Sequence, residues 1–479
     1  MSALVHRAWN SPTLMSWGGL AVRLGSWVLL LPLVLRTFDT PDVAVWLLFG
    51  AIVNLQVVGN LGFGQTFMRA IANAEGGSSI AEIRDLRESP RKIQREHQHN
   101  AHALERLVGT LQPVYLVLAL LWLAVLATAG SASVAKPISS GIDSSQAWIA
   151  WFVIVASTGF AVFGNSYASY LLGRNRVALV QRWDMLFAAA GFISAAATVW
   201  MGGRLLELTL VQQAWVIAAV LRNRWLCRND PAFREGARRP LDREVLATLW
   251  PNAWRSGLGV LMSLGVVQAS GLVYARLGDA ADVASYLLGL RMIQMISQIS
   301  QAPFYSKIPA LARLWAEGRP EEHLALAARG MRLSHLTFTT GFLVIGLVMD
   351  QAMVAIGSST AFVSWSLWGL LGLAFYAERA GAMHLQLYST TNHIIWHIAN
   401  GITGLAMAAI ALALYPQLNI TAFPVAMLLS YGLIYCPISY WYSYRSFDIK
   451  IRQFDLPITF LPLSVACASW STACAVWKC

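Results

Sequence analysis

Charge is what this sequence has least of. Only 12% of its 479 residues are Asp, Glu, Lys or Arg, about half the share usual in soluble domains. With 57% of the chain hydrophobic, a water-soluble fold has no means of covering its apolar surface. Cysteine is sparse too. Cys227, Cys436, Cys467, Cys474 and Cys479 show no C-x-x-C spacing and fall mostly in apolar stretches, which reads as reduced packing residues, with no disulfide and no thiolate metal site. Phosphate-binding loops of the G-x-x-x-x-G-K-[S/T] type, G-x-S-x-G elbows and large soluble insertions are absent. An ATP-driven pump needs such a nucleotide site, so any energy source is an ion gradient, the substrate gradient or a partner. No cofactor and no metal is expected. His97, His99 and His102 stand in a charged stretch without a supporting carboxylate or cysteine pattern.

What the sequence has instead is apolar blocks of about twenty residues, the length a helix needs to cross some 30 Å of hydrocarbon. They fall at 14–36, 43–62, 107–130, 147–172, 185–200 and 205–221, then at 245–274, 283–302, 333–348, 361–376, 394–415 and 420–440. Another, 456–477, has Pro457 and Pro462 in its first turns and suits a thirteenth crossing or a hairpin on the bundle. The first block is too long for a signal-peptide core, so no cleavable leader is read. The fold class is therefore an all-α polytopic membrane protein of about twelve transmembrane helices.

The net charge of +11 does not call for a nucleic acid, because its distribution follows the membrane. With the N-terminus inside, alternate gaps hold most of the basic residues, including Arg84, Arg87, Arg91, Lys92 and Arg95 in one gap and Arg234, Arg238, Arg239 and Arg243 in another. The opposite gaps hold Arg36, Lys136, Arg204 and Arg276. The asymmetry is that of an inner-membrane protein with a cytoplasmic N-terminus. The gap 75–105 can form an amphipathic surface helix broken at Pro90.

Sliding the chain against itself shows a repeat. FDTPDVAVWLLF from Phe38 matches GDAADVASYLLG from Gly278 without a gap, pairing Asp39 with Asp279, Asp42 with Asp282 and, further on, Asn54 with Gln294. AEGG at Ala74 meets AEGR at Ala316 after a two-residue slip. Such a match points to a duplicated six-helix unit. The expected parts are an N-terminal half at 1–222, a basic cytoplasmic linker at 223–244, a second half at 245–444 and a C-terminal segment at 445–479. Two copies of an even number of helices share one orientation, so the pseudo-two-fold axis should follow the membrane normal, with a central cavity between the bundles and alternating access by rocking.

GNLGFGQTFMRAIANAEGG at 59–77, where the second span runs out through a glycine-punctuated end, and QAPFYSKIPALARLWAEGR at 301–319 resemble elements of the multidrug/oligosaccharidyl-lipid/polysaccharide flippase superfamily, in its bacterial polysaccharide-transporter (O-antigen flippase) branch. The resemblance spans nearly the whole chain in topology and half-repeat, while its motifs are diffuse. It implies translocation of a polyprenyl-pyrophosphate-linked oligosaccharide to the periplasmic leaflet for surface polysaccharide synthesis. Membrane lipid, the polyprenyl-linked glycan, and a polysaccharide polymerase and glycosyltransferases are the partners it implies.

Several residues suit that task. Arg23 in the first span and Arg291 in the eighth place guanidinium groups in hydrocarbon, where a cation normally faces a cavity or a partner; a pyrophosphate or a structural counter-ion satisfies either. Asn54, Gln56 and Asn60 in the second span, and Gln294, Gln298 and Gln301 in the eighth, make two polar rows, the second on one helix face. They suit a sugar path or bonding between helices. Trp17, Trp27 and Trp46 suit sugar stacking or an interfacial belt. Arg255 reads as a snorkelling residue. Asp184, at the start of the fifth span, and Glu378, beside Arg379 at the end of the tenth, are candidates for a coupling ion.

Two other functions fit part of this pattern. A cation-coupled drug or metabolite exporter shares the two-bundle plan but calls for a deep acid, whereas the interior charges are mainly Arg. A polysaccharide polymerase or ligase usually needs a large external loop or clustered acids, and the longest external connection, 131–146, has one acid, Asp143. The chain is therefore read as a transporter and not an enzyme.

Overall fold

A computed structural model describes residues 12–75, 79–80, 101–139, 143–391 and 395–477. Among them every regular element is a helix. The chain divides into two compact units, Met1–Leu261 and Met262–Cys479.

The first unit contains α1 (Pro12–Thr37), α2 (Thr40–Gly59), α3 (Phe63–Glu75), α4 (Ala101–Val125), α5 (Ser131–Ser139), α6 (Ser144–Gly173), α7 (Val177–Trp200), α8 (Leu205–Arg228), α9 (Pro231–Gly236) and α10 (Arg243–Val260). A π-turn, Leu126–Gly130, carries α4 into α5, so much of the expected external loop 131–146 is helical. α6 is the centre of this unit, with α8, α4 and α3 packed on it, while α1 lies along α7. On α4 the inward face buries Tyr115, Leu118, Ala119 and Trp122, and the outward face exposes Leu116, Val117, Leu120 and Leu121. A helix apolar on both faces is one whose solvent is lipid.

The second unit contains α11 (Val266–Leu277), α12 (Ala280–Tyr305), α13 (Ile308–Ala316), α14 (Pro320–Ile356), α15 (Trp365–Ser389), α16 (Trp396–Leu418), α17 (Ala422–Ser430), α18 (Cys436–Phe447) and α19 (Leu461–Trp477). The chain reverses at Asn419 (φ 48°), so that α16 packs against α17. α12 packs against α14 and α15, and α19 lies on α14.

Among the described residues seven helices are long and apolar enough to cross a membrane, or eight if the bent pair Arg243–Ser263 and Val266–Arg276 is one span. The chain is thus a multi-pass membrane protein. α12 and α15 have the length to cross, since their 26 and 25 residues each reach about 38 Å, but polar residues interrupt both. Several helices outrun the predicted blocks: α7 begins at Val177, α14 at Pro320, and α15 runs on to Ser389.

The repeated sequence folds alike in its two copies. Asp39 and Asp279 are both N-caps in extended conformation, ψ 155° and 156°, and each opens a long helix followed by a short one. The surface helix expected over 75–105, with His97 and His99, falls largely outside the described residues. The side chains of Arg23, Trp17 and Trp27 do too.

A polar stripe on α12 and its neighbours

On α12 the packed face is apolar, and a polar row runs along its less buried side, next to the exposed Ile299. Met292, Ile293, Met295, Ile296 and Phe304 are buried. Arg291, Gln294 and Gln301 are half-buried and Gln298 is exposed. The spacing of three, four and three residues sets all four on one face, with Arg291 at the N-terminal end of the row.

Ser297 stands beside this row, and the Arg379 guanidinium of α15 donates to its hydroxyl at 2.5 Å. The same nitrogen lies 3.3 Å from the Glu378 carboxylate. Because α15 continues to Ser389, Glu378 and Arg379 sit in the body of the helix and not at its end. Arg379 is buried. As an ion site Glu378 therefore begins paired with an adjacent cation.

Asp184 is also paired. It lies two turns inside α7, and Arg222 of α8 donates to it at 2.8 Å. Arg222 donates further to Asn223 Oδ1 at 2.7 and 3.1 Å and lies over the Phe187 ring at 5.0 Å. Arg222, one residue beyond the apolar block 205–221, is buried within α8. Asp184 thus serves as its counter-ion.

In the first unit Asn54 and Gln56 are half-buried on α2. Asn60 follows the last turn of that helix and accepts from Asn165 Nδ2 of α6 at 2.9 Å. Trp46 is buried, so it offers no ring face to a sugar, and Arg255 lies over the neighbouring Trp254 ring at 5.7 Å. Sequence reasoning missed Ser297, Asn165 and Arg222. A Ser in a helix carries no signal of its own, and Arg222 is identified only by an acid on another helix.

No protein-family model matches the chain, and no curated protein matches it in sequence. Solved structures do resemble it. An inward-facing multidrug resistance MATE family transporter of the MOP superfamily has a TM-score of 0.57 at 13% identity, over 90% of this chain and 98% of that one. The lipid II flippase MurJ, in an inward closed conformation, has a TM-score of 0.61 at 12% identity, over 96% and 92%. A MOP superfamily transporter from Pyrococcus furiosus, described as having a binding pocket of reverse polarity, has a TM-score of 0.53 at 13% identity, over 92% and 97%. At these identities the likeness shows that the chain has the fold of these proteins.

Proposed function

We propose that this chain is a transporter of the bacterial inner membrane that flips a polyprenyl-pyrophosphate-linked oligosaccharide by alternating access. The observation that carries the reading is the less buried side of α12, where Arg291 and three glutamines lie in one row. A guanidinium fork suits the oxygens of a pyrophosphate, and amide side chains offer both donors and acceptors to sugar hydroxyls. Arg23, on α1, is the second proposed anion contact. The polar headgroup then crosses along protein groups while its lipid tail stays in the bilayer, whose interior strongly disfavours charge.

The fold is shared with drug exporters and with a lipid II flippase, so the cargo is chosen by the residues. A cation exporter would want an acid free to bind its cargo or a coupling ion. Asp184 and Glu378 are each held by an arginine, which favours the anionic cargo. A polymerase and glycosyltransferases would supply and consume such a substrate.

Reconstitution into liposomes with a fluorescent polyprenyl-pyrophosphate oligosaccharide tests this. Depletion of the probe from one leaflet, dependent on the protein, is the expected result. Export of a cationic dye with no movement of the lipid-linked probe would replace the proposal with the exporter reading.

A further inference from the structure

In the first unit the membrane-crossing helix α8 ends in a basic surface that the α12 stripe does not use. Its 24 residues reach about 36 Å. The hydrocarbon is about 30 Å thick, so the ends of α8 stand at the level of the lipid headgroups. Leu221, Arg224, Trp225 and Arg228 follow at helical spacing on one face of its last turns. All four are exposed, the two apolar ones at 49% and 57%. On the other side Arg222, Asn223 and Cys227 are buried. The chain then turns through α9 into α10 and adds Arg234, Arg238 and Arg243, which are exposed as well.

Ion pairing leaves these five arginines over. The carboxylates around them are taken by other cations: Asp230 by Arg174 and Arg176 at 3.4 and 3.6 Å, Asp242 and Glu244 both by Arg106 at 2.6 Å, and Glu105 by Arg239. Glu235 remains, exposed on α9. Among the described residues none of Arg224, Arg228, Arg234, Arg238 and Arg243 forms an ion pair. Five guanidinium groups therefore face one free carboxylate.

Packing holds this surface in shape. Phe233 of α9 is buried, with its ring 4.9 Å from that of Tyr170 and 5.8 Å from that of Tyr167, both on α6. A Cβ on Gly236 would lie 2.8 Å from the Glu105 carbonyl oxygen of α4, so the two backbones touch. The pairs Arg239–Glu105 and Arg106–Asp242 clamp the turn between α9 and α10 onto α4. The unpaired arginines stand on a platform of packed helices.

We propose that Arg224, Trp225, Arg228, Arg234, Arg238 and Arg243 form a binding surface for the headgroup of an anionic phospholipid. Basic residues beside a membrane span are drawn to anionic lipid, and a guanidinium fork matches the oxygens of its phosphate. Tryptophan at headgroup level is an interfacial anchor. An anion with hydrocarbon attached matches both the arginines and the apolar residues of the α8 face, whereas a free anion matches only the arginines. The lipid supplies the counter-charge that the protein lacks here, and it ties this end of the first unit to the leaflet it faces. The surface does not rest on the identity of the cargo.

Native mass spectrometry of the full chain tests it, with phosphatidylglycerol or phosphatidylcholine of the same acyl chains added to the detergent micelles. The first phosphatidylglycerol should bind at least about fivefold more tightly than the first phosphatidylcholine, the attraction that one arginine lends near an anionic surface. Arg224→Gln with Arg228→Gln should bring the ratio near one, and Arg234→Gln with Arg238→Gln should lower it. Arg224→Lys with Arg228→Lys should keep most of it, since an ammonium also binds phosphate as a point charge. Equal affinities in the wild type, or an unchanged ratio in the Arg224→Gln, Arg228→Gln variant, overturn the proposal. The exposed Arg445, Lys450 and Arg452 of the second unit control for net charge. Their joint replacement by Gln should leave the ratio in place, and a loss as large as that from Arg224 and Arg228 would mean that no particular surface is involved. Displacement of the phosphatidylglycerol by an equal concentration of inorganic phosphate would make this a free-anion site. Displacement by polyglutamate, with phosphatidylglycerol no better than phosphatidylcholine, would give the surface to an acidic protein instead.

Discussion

At the scale of single residues, Arg222 and Arg291 are helix arginines of two kinds, and mutation should separate them. Arg222 has a carboxylate at 2.8 Å and acts on stability. Replacing Asp184 with Asn should cost about 1–3 kcal/mol, below the full cost of breaking a buried pair because Asp184 keeps 32% of its side-chain surface. Replacing both partners, with Asp184→Leu and Arg222→Met, should recover most of that loss. Thermal unfolding in detergent reads both, and a double variant no more stable than Asp184→Asn would show that the pair is not what the change disrupts. Arg291 lies on the polar face of α12 and should behave differently. Arg291→Ala should lower translocation of the pyrophosphate-linked probe at least tenfold, the order expected for loss of one charge-assisted contact, while membrane insertion and unfolding temperature stay near wild type. Unchanged transport would remove Arg291 from the proposed site.

At the scale of elements, the break between α2 and α3 depends on a close approach of backbones. Leu61 and Gly62 both take positive φ, 42° and 74°, and a Cβ on Gly62 would lie 2.3 Å from the Ala253 carbonyl oxygen of α10. Gly318, between α13 and α14, has φ 70° with open space around it. Gly62→Ala and Gly318→Ala therefore share the conformational cost of about 1–2 kcal/mol, and only Gly62→Ala adds a clash. Unfolding temperatures should fall markedly further for Gly62→Ala; equal falls would mean that α10 yields. α10 is also tied at its start. The Arg106 guanidinium holds the Asp242 carboxyl below its usual range, helped by the Val245 and Glu244 amides and opposed by partial burial. A lowered carboxyl stabilises the fold above its unfolded value, about 3.9, and loses that contribution as pH falls through its folded value. The stability difference between wild type and Asp242→Asn should therefore be constant from neutral pH down to about 5 and shrink below about 4; a constant difference throughout would break the link. These elements also show what sequence can carry. The crossings were legible because hydrocarbon thickness sets the length of an apolar block, and the α12 row because its period is helical. The ends of α7, α14 and α15 were not, because a helix leaving lipid continues in water with polar residues. Asp184 with Arg222, and His384 with Asp455, lie 38 and 71 residues apart, contacts that only the packing of helices creates.

At the scale of the whole molecule, the charge pattern and the helix ends together predict which side each turn faces. The turn after α7 is short, with Gly202 at φ 85° and nothing crowding it, and it is flanked by a single basic residue, Arg204. The turn at Gly318 lies between α13 and α14, with Arg319 held by Glu317 and Glu322 and Arg329 and Arg332 following on α14. Translocation of basic segments against the membrane potential is unfavourable, by about 2.3 kcal/mol per charge per 100 mV, so the richer side stays inside. A cysteine at position 202 should react with a membrane-impermeant maleimide in intact cells. One at 318 should react only after permeabilisation, in a background where Cys467, Cys474 and Cys479 are serine and the buried Cys227 and Cys436 are kept. The assignment matters for cargo as well as for topology. Flipping from the inner to the outer leaflet requires the polar face of α12 to be reached first from the side that carries Gly318. The reverse labelling pattern would turn the chain over and make outward flipping untenable as proposed, even if Arg291 proved essential.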